Sequence, residues 1–437
     1  MLIFDIAKEK GIEDVEIYTL SSHNKSLKIF NGDVESYQIS DQQVMSVRGI
    51  VDGKMGYVYT EDLNEDSHEL LNRLIDNAKV VASPDIEEIF AGSESYVDLE
   101  EVISKEEITY DQIMEVMLKI DKVSKDYDNK VTDVNVSYSE NSVEVVIENS
   151  KGLKLEKSDK YFMIFANVVG ELDGQRSSAY EYELKKNFKE FNVEEIALGA
   201  AKATVSALGA GPCKSGTYPV ILKNSVGNSM LSVLTGAFYA EGVQKGLSPL
   251  KGKLNTKIVG ENITIVDDPF LKSGMNRSSF DDEGVATSVT TLVENGNLSS
   301  YLYNLKSAKK DNVESTGNGF KGGVQSKVGT SITNLYIKES NNTFEDLFEG
   351  IEKGIYITDV AGTHAGINSI NGDFSLQSQG FMIENGKITT PVKLITIAGN
   401  YFEMLGKVEK IANDTKFDYS GVGTPSMLIK ELPVSGK

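Results

Sequence analysis

The sequence predicts an α+β protein: N-terminal helix/antiparallel-meander units, arranged as a duplication, followed by a β-rich C-terminal domain around a central helix. Three observations predict it. In the first half, alternating apolar and polar runs recur between Asn-Gly or Asp-Gly dipeptides, which accept the positive φ of tight hairpins. Segments with apolar residues at helical spacing flank each set of runs. The second half is rich in glycine and hairpin dipeptides but has one well-defined helix near its start. At 437 residues the chain exceeds one ordinary core and implies two or three domains.

The first unit, residues 1–82, opens with a short helix from Met1 to Lys10 stopped by Gly11. Strands follow at Asp14 to Leu20, Ser26 to Phe30, Val34 to Ile39, Val44 to Val51 and Lys54 to Thr60, with turns at Asn31-Gly32 and Asp52-Gly53. A helix from about Asn64 to Ala82 presents Leu70, Leu71, Leu74, Ile75 and Ala78 on one face. Residues 83–104 read as an acidic, aperiodic linker.

The second unit, 105–212, repeats the order. A helix from Thr109 to Tyr127 precedes strands at Val131 to Tyr138, Ser142 to Glu148, Leu153 to Lys157, Tyr161 to Val169 and Ser177 to Glu183, and a helix from Val193 to Leu208 closes it. An Asp-Gly turn falls at the same place in both units, which implies paired α+β layers from a duplication. The third unit, 213–437, carries hairpin signals at Asn295-Gly296 and Asn385-Gly386, and short helices near Thr343 to Gly350 and Tyr401 to Lys407.

Composition narrows the function. The formal charge is −21, from 65 acidic against 44 basic residues, which opposes nonspecific attachment to nucleic acid or anionic membrane. The lone Cys213 forms no internal disulfide, and neither a signal peptide nor a membrane span is expected. The cytoplasm is the expected compartment.

The central stretch starts as a strand (Tyr218 to Lys223), passes an Asn224/Ser225 cap and becomes a helix with Val226, Met230, Val233, Leu234 and Ala237 at helical spacing; Gly242 and Gly246 end it. Such a helix between strands is a common mount for catalytic side chains. Ser232 to Ala237 offers no side chain able to ligate zinc or act as a general base near neutral pH.

With its flanking GLSPLKGKL, ITIVDDP and SFDDEG, this stretch resembles the corresponding part of the TldD/TldE (PmbA) family of bacterial proteolytic proteins. VRGIVDGKMGYVYT, TGNG, GDFS and IENGKI extend the resemblance over nearly the whole chain. TldD-type subunits read LLHExxGH here, two histidines and a glutamate serving a metal site. The matching positions in this chain are Ser232, Val233 and Ala237, so it resembles the TldE/PmbA-type branch. Residues five apart on a regular helix differ by about 140° in direction, so a ligand pair there needs an irregular turn, which a glycine at the position of Gly236 allows. The cysteine of TldD-type tails is missing too, since FDYSGVGTPSMLIKELPVSG has none.

What the resemblance implies is a metal-free subunit of a cytoplasmic metallopeptidase acting on unfolded or flexible peptides and peptide precursors. The expected partner is a TldD-type HExxxH subunit that carries the zinc, with a homodimer as the alternative when this chain is alone. No cofactor is expected in this chain, and no nucleic-acid or membrane contact. His364, Asn368, Asp373 and Ser375, in the glycine-rich segment that matches the family's C-terminal signature, are candidates to line a substrate groove. The alternative reading there is a tight turn whose polar groups bond one another.

Two rival functions stand beside this one. A metal-free relative could be a non-enzymatic peptide-binding or regulatory protein, for example a modulator of DNA gyrase. Asp281, Asp282 and Glu283, with Asp267 and Asp268 nearby, could instead serve a self-sufficient hydrolase, although Asp-Asp-Glu-Gly also suits a turn that bonds backbone amides. Of the three histidines, His23 reads as part of a polar loop and His68 as an exposed helix-start residue. Ser315 to Gly323 lacks the Gly-Lys-Ser/Thr ending of a phosphate loop and reads as a loop near the cleft.

Overall fold

The computed structural model describes residues 3–82, 87–99 and 106–437; Met1, Leu2, residues 83–86 and 100–104 of the expected linker, and Lys105 fall outside them. Helix α1 (Ile3–Glu9), strands β1 (Val15–Phe30), β2 (Asp33–Val51) and β3 (Lys54–Thr60), and helix α2 (Ser67–Val80) form the first unit. The second is α3 (Tyr110–Tyr127), β4 (Val131–Asn149), β5 (Lys154–Leu172), β6 (Gln175–Lys185) and α4 (Val193–Ser206). Thr109 caps α3 in a reciprocal box with Gln112.

The two meanders are not separate layers. They share one six-stranded antiparallel sheet, ordered β3-β2-β1-β4-β5-β6, joined where the first strands of the two units pair. The strands are also longer than the polar runs suggested. Ser21 to Asn24 lies opposite Ser40 to Gln43 on one side and Asn141 to Glu144 on the other, so the expected breaks are continuous strand. His23 is therefore a strand residue, and its Nδ1 meets Asp41 Oδ1 at 2.6 Å. Each polar run has hydrogen-bonded neighbours whose own polar run is in register, which is why none of them turns.

Both helix pairs lie on one face of this sheet, at opposite ends of its long strands. At one end Leu70, Leu71 and Leu74 of α2 pack on Ile17, Val47 and Val58. At the other, Ile113, Met117 and Ile120 of α3 and Ile196, Ala197 and Ala200 of α4 cover Leu27, Ile29, Val136, Phe162 and Ile164. The polar stripe runs between the two cores. Residues 87–99 have no helix or strand but are held down: Ile89 is buried, and the Tyr96 hydroxyl donates to the Gly284 carbonyl at 2.8 Å.

The C-terminal part has two six-stranded sheets around a helix, and a two-stranded ribbon of Gly319–Lys321 with Val328–Thr330. Strand β7 (Gly216–Leu222) pairs in parallel with Lys353–Ala361 and antiparallel with Met427–Ser435. Asp373–Glu384 and Lys387–Asn400 continue that sheet, and Thr396↔Ser435 with Ile397↔Val434 closes it into a barrel. The second sheet centres on Ile265–Asp267, Leu335–Ile337 and Val422–Thr424. Between them lies α5 (Asn224–Leu234), whose Val226, Met230, Leu231 and Leu234 complete a core shared with Leu222, Ile355, Ile265 and Leu335. Gly227 permits the close approach of α5 to Val422–Thr424, since a Cβ there would lie 2.2 Å from Thr424 Oγ1.

Near Thr343 the expected helix is a 3-10 turn, Glu345–Phe348, and that near Tyr401 is the single turn Tyr401–Leu405. Helix Leu305–Asp311, capped by Asn304, had no apolar periodicity to reveal it. Among the described residues no helix is long and apolar enough to cross a membrane.

Candidate peptide cleft

The chain leaves β7 and enters α5 through a cap position held by Lys223, without a side-chain cap bond. The expected Asn224/Ser225 cap is therefore displaced. Asn224 is buried, and its amide needs partners inside: Nδ2 donates to the Asp414 carbonyl at 2.8 Å and Oδ1 accepts from Ser225 N at 2.7 Å. After Leu234 the backbone tightens into a 3-10 turn, Thr235–Phe238, which contains Gly236. This irregular turn rotates the end of the motif, so that Ala237 is buried in the core while Ser232 and Val233 stay at an opening.

That opening is a cleft of about 690 Å³ between the C-terminal domain and the helix-free face of the N-terminal sheet. Its floor is the polar face of α5: Ser225, Asn228, Ser229, Ser232 and Val233. Its wall is aromatic. Tyr161 and Phe165 of β5 and Tyr180 and Tyr182 of β6 project from the sheet opposite Phe162 and Ile164, which point to the helices. Phe165 stacks on Tyr180 at 5.4 Å between centroids, and Tyr180 on Tyr182 at 6.5 Å. Burial, followed by the field of nearby carboxylates, raises the pKa of both tyrosines, so their phenols stay neutral.

The tail closes one side. Ser232 Oγ lies 2.8 Å from the Asn228 carbonyl and 3.1 Å from Asp418 Oδ2, sharing its one proton between these acceptors, and 3.3 Å from Ser420 Oγ. Asp418 Oδ1 in turn accepts from Ser420 N, Ser420 Oγ and Val422 N at 2.9, 2.6 and 3.1 Å. Two segments that the sequence marked separately, the altered helix motif and the cysteine-free tail, thus touch. Among the described residues no three His, Cys, Asp or Glu side chains gather as a metal site.

His364, Asn368, Asp373 and Ser375 are exposed and are not part of this lining, although their neighbour Thr363 is. Asn368 Oδ1 accepts from Ile370 N at 2.9 Å, and Asp373 accepts from Asn371 Nδ2 and Asn400 Nδ2 at 2.8 and 2.9 Å. Asn371 and Asn400 border a separate open groove of about 850 Å³ with Phe402.

The acidic loop is buried at the junction between the domains. Asp281 accepts from Glu283 N, Val285 N and Gly319 N, each at 2.8 to 2.9 Å. Asp282 takes Lys321 N at 2.9 Å and Lys157 Nζ at 3.0 Å. Glu283 takes Leu305 N at 2.8 Å and faces Arg48, which also binds Glu16 at 2.7 Å. Burial raises the pKa of Asp281 and Glu283. These carboxylates join two domains and are almost wholly buried. The TGNG loop touches the same acidic loop through Gly319 N, which donates to Asp281, and Asn318 Nδ2 binds buried Asp267 at 2.8 Å.

Family profiles cover most of the chain. Residues 15–82 match PmbA/TldA metallopeptidase domain 1, residues 103–208 its central domain and residues 215–436 its C-terminal domain. The chain belongs to the TldD/PmbA family. An uncharacterised protein of Methanocaldococcus jannaschii is 33% identical over 410 residues, covering 92% of each chain. A solved Thermotoga maritima protein, described as a candidate modulator of a DNA gyrase, is 33% identical with a TM-score of 0.92, covering 99% of this chain and 98% of that one. TldE of Thermococcus kodakarensis shares the fold, with a TM-score of 0.84 at 23% identity over 98% of each chain.

Within this TldD/PmbA chain, sequence reasoning missed the aromatic wall and Asp418. A signal was present: Tyr161, Met163 and Phe165 alternate with Phe162, Ile164 and Ala166, so β5 is apolar on both faces. A strand at the rim of a domain with two apolar faces has something to cover on each.

Proposed function

We propose that this chain is the TldE/PmbA-type, metal-free subunit of a cytoplasmic metallopeptidase, holding unfolded or flexible peptides while a TldD-type HExxxH partner supplies zinc and general base. The observation that carries this reading is Ser232. It occupies the first-histidine position of the family pattern, lines the cleft, and has its hydroxyl bonded to Asp418. The donors around it support a site without zinc: one carboxylate already bonded by four donors, two hydroxyls, and neither imidazole nor thiolate. In this reading α5 offers the hydroxyl groups of Ser225, Ser229 and Ser232 to a peptide backbone, and the tyrosine wall takes its apolar side chains. β6 is the edge of its sheet, able to receive an extended segment.

The test is zinc content and cleavage of an unfolded peptide by this chain alone and after co-expression with an HExxxH relative. Both are expected only with the partner, and both are expected to disappear when the partner's histidines and glutamate are replaced. Zinc-dependent cleavage by this chain alone would overturn the assignment. Peptide binding without cleavage in the reconstituted pair would favour a purely binding role.

A further inference from the structure

The cleft's charge is one-sided. Among the described residues no lysine or arginine lines this cleft, and Asp418 is its one ionisable acid or base apart from the tyrosine phenols. Asp418 is half-buried and lines the cleft, and its Oδ2 has one hydroxyl neighbour, Ser232 at 3.1 Å, whose proton it shares with the Asn228 carbonyl, so Oδ2 keeps lone-pair capacity. Asp359 and Glu181 lie close enough to act on Tyr180, and Asp418 on Tyr182. Lys223 is the cation facing Asp359. The stacked rings of Phe165, Tyr180 and Tyr182 present electron-rich faces, and Tyr419 stands at the mouth, 74% exposed.

Resting on the peptide-cleft reading above, we propose that the cleft selects segments in which lysine or arginine stands beside aromatic or apolar residues, and rejects acidic segments. A cation entering it meets ring faces and the free side of Asp418, both attractive. A carboxylate meets no lysine or arginine, and low-dielectric walls leave its repulsion by Asp418 poorly screened. The serine hydroxyls of α5 can accept from any backbone N–H alike, so side-chain charge is what discriminates.

The experiment is fluorescence anisotropy on the full-length chain with labelled, unstructured Gly/Ser/Tyr peptides that differ only in carrying lysine, glutamine or glutamate. At physiological salt the lysine peptide is expected to bind about tenfold or more tighter than the glutamate peptide. Asp418→Asn should reduce that ratio several-fold. Because Asp418 also shapes its own loop, Ser229→Lys provides an independent check: a cation on the cleft floor should reverse the order. Glu115→Gln, on exposed α3 across the sheet, should leave the ratio unchanged. Equal binding of all three peptides, or an order that Ser229→Lys does not alter, would overturn the selectivity while leaving the cleft in place. A ratio lost equally in Glu115→Gln would assign it to net charge and also overturn it. If none of the peptides binds, the peptide-cleft reading itself falls.

Discussion

Arg48 shows what single residues contribute to the domain junction. It is almost fully buried, pairs with Glu16 at 2.7 Å and faces Glu283 at 3.7 Å, and the two carboxylates offset the cost of taking its charge out of water. Removing one member strands the others. Arg48→Met is expected to destabilise by about 3–5 kcal/mol, because Glu16 and Glu283 are left as unpaired buried charges. Adding Glu283→Gln should recover part of that loss in a melting experiment, which a simple packing defect would not. The sequence showed the acidic run at Asp281 to Glu283 and its fitness for a turn. Its bases, Arg48 and Lys157, stand on two strands more than a hundred residues apart, and no local pattern links them.

At the scale of elements, α5 depends on Gly227 as much as on its apolar face. Gly227→Ala is expected to cost about 1–3 kcal/mol, because Thr424 is buried and cannot withdraw. Thr424→Ala in the same chain should relieve part of it, and comparing the three unfolding midpoints checks the pair. The helix itself was readable from apolar spacing, but its end was not: the spacing carried it to Gly242, whereas α5 stops at Leu234 and a 3-10 turn follows over Thr235–Phe238. Nor were the long strands of the sheet. Polar runs such as Ser21 to Asn24 carry turn-forming residues, and only their pairing in register with similar runs keeps them extended.

The whole molecule should register pH through its buried carboxyls. Burial raises the pKa of Asp267 to about 6 from 3.8, and Asp281 and Glu283 shift in the same direction. The folded chain therefore keeps a proton that the unfolded chain has already lost. Stability from this source is fully present below the unfolded pKa and is lost as pH rises through about 6, a change of about 3 kcal/mol for Asp267. Thermal midpoints of wild type and Asp267→Asn across that range are the check: the wild type should fall relative to the variant. A parallel course would remove Asp267 from this role.

By itself the sequence determined the α+β class, the duplicated meanders, the central helix and the family, because local spacing, turn dipeptides and motif identity are written in consecutive residues. The resemblance it carries is what set Ser232, Val233 and Ala237 opposite the family's metal-motif positions as an expectation. Tertiary structure decided the rest: the union of two meanders into one sheet, the burial of the acidic loop, and the meeting of Ser232 with Asp418 beneath a tyrosine wall. Those depend on contacts between residues far apart in the chain, 186 positions for Ser232 and Asp418, and only packing brings such groups together.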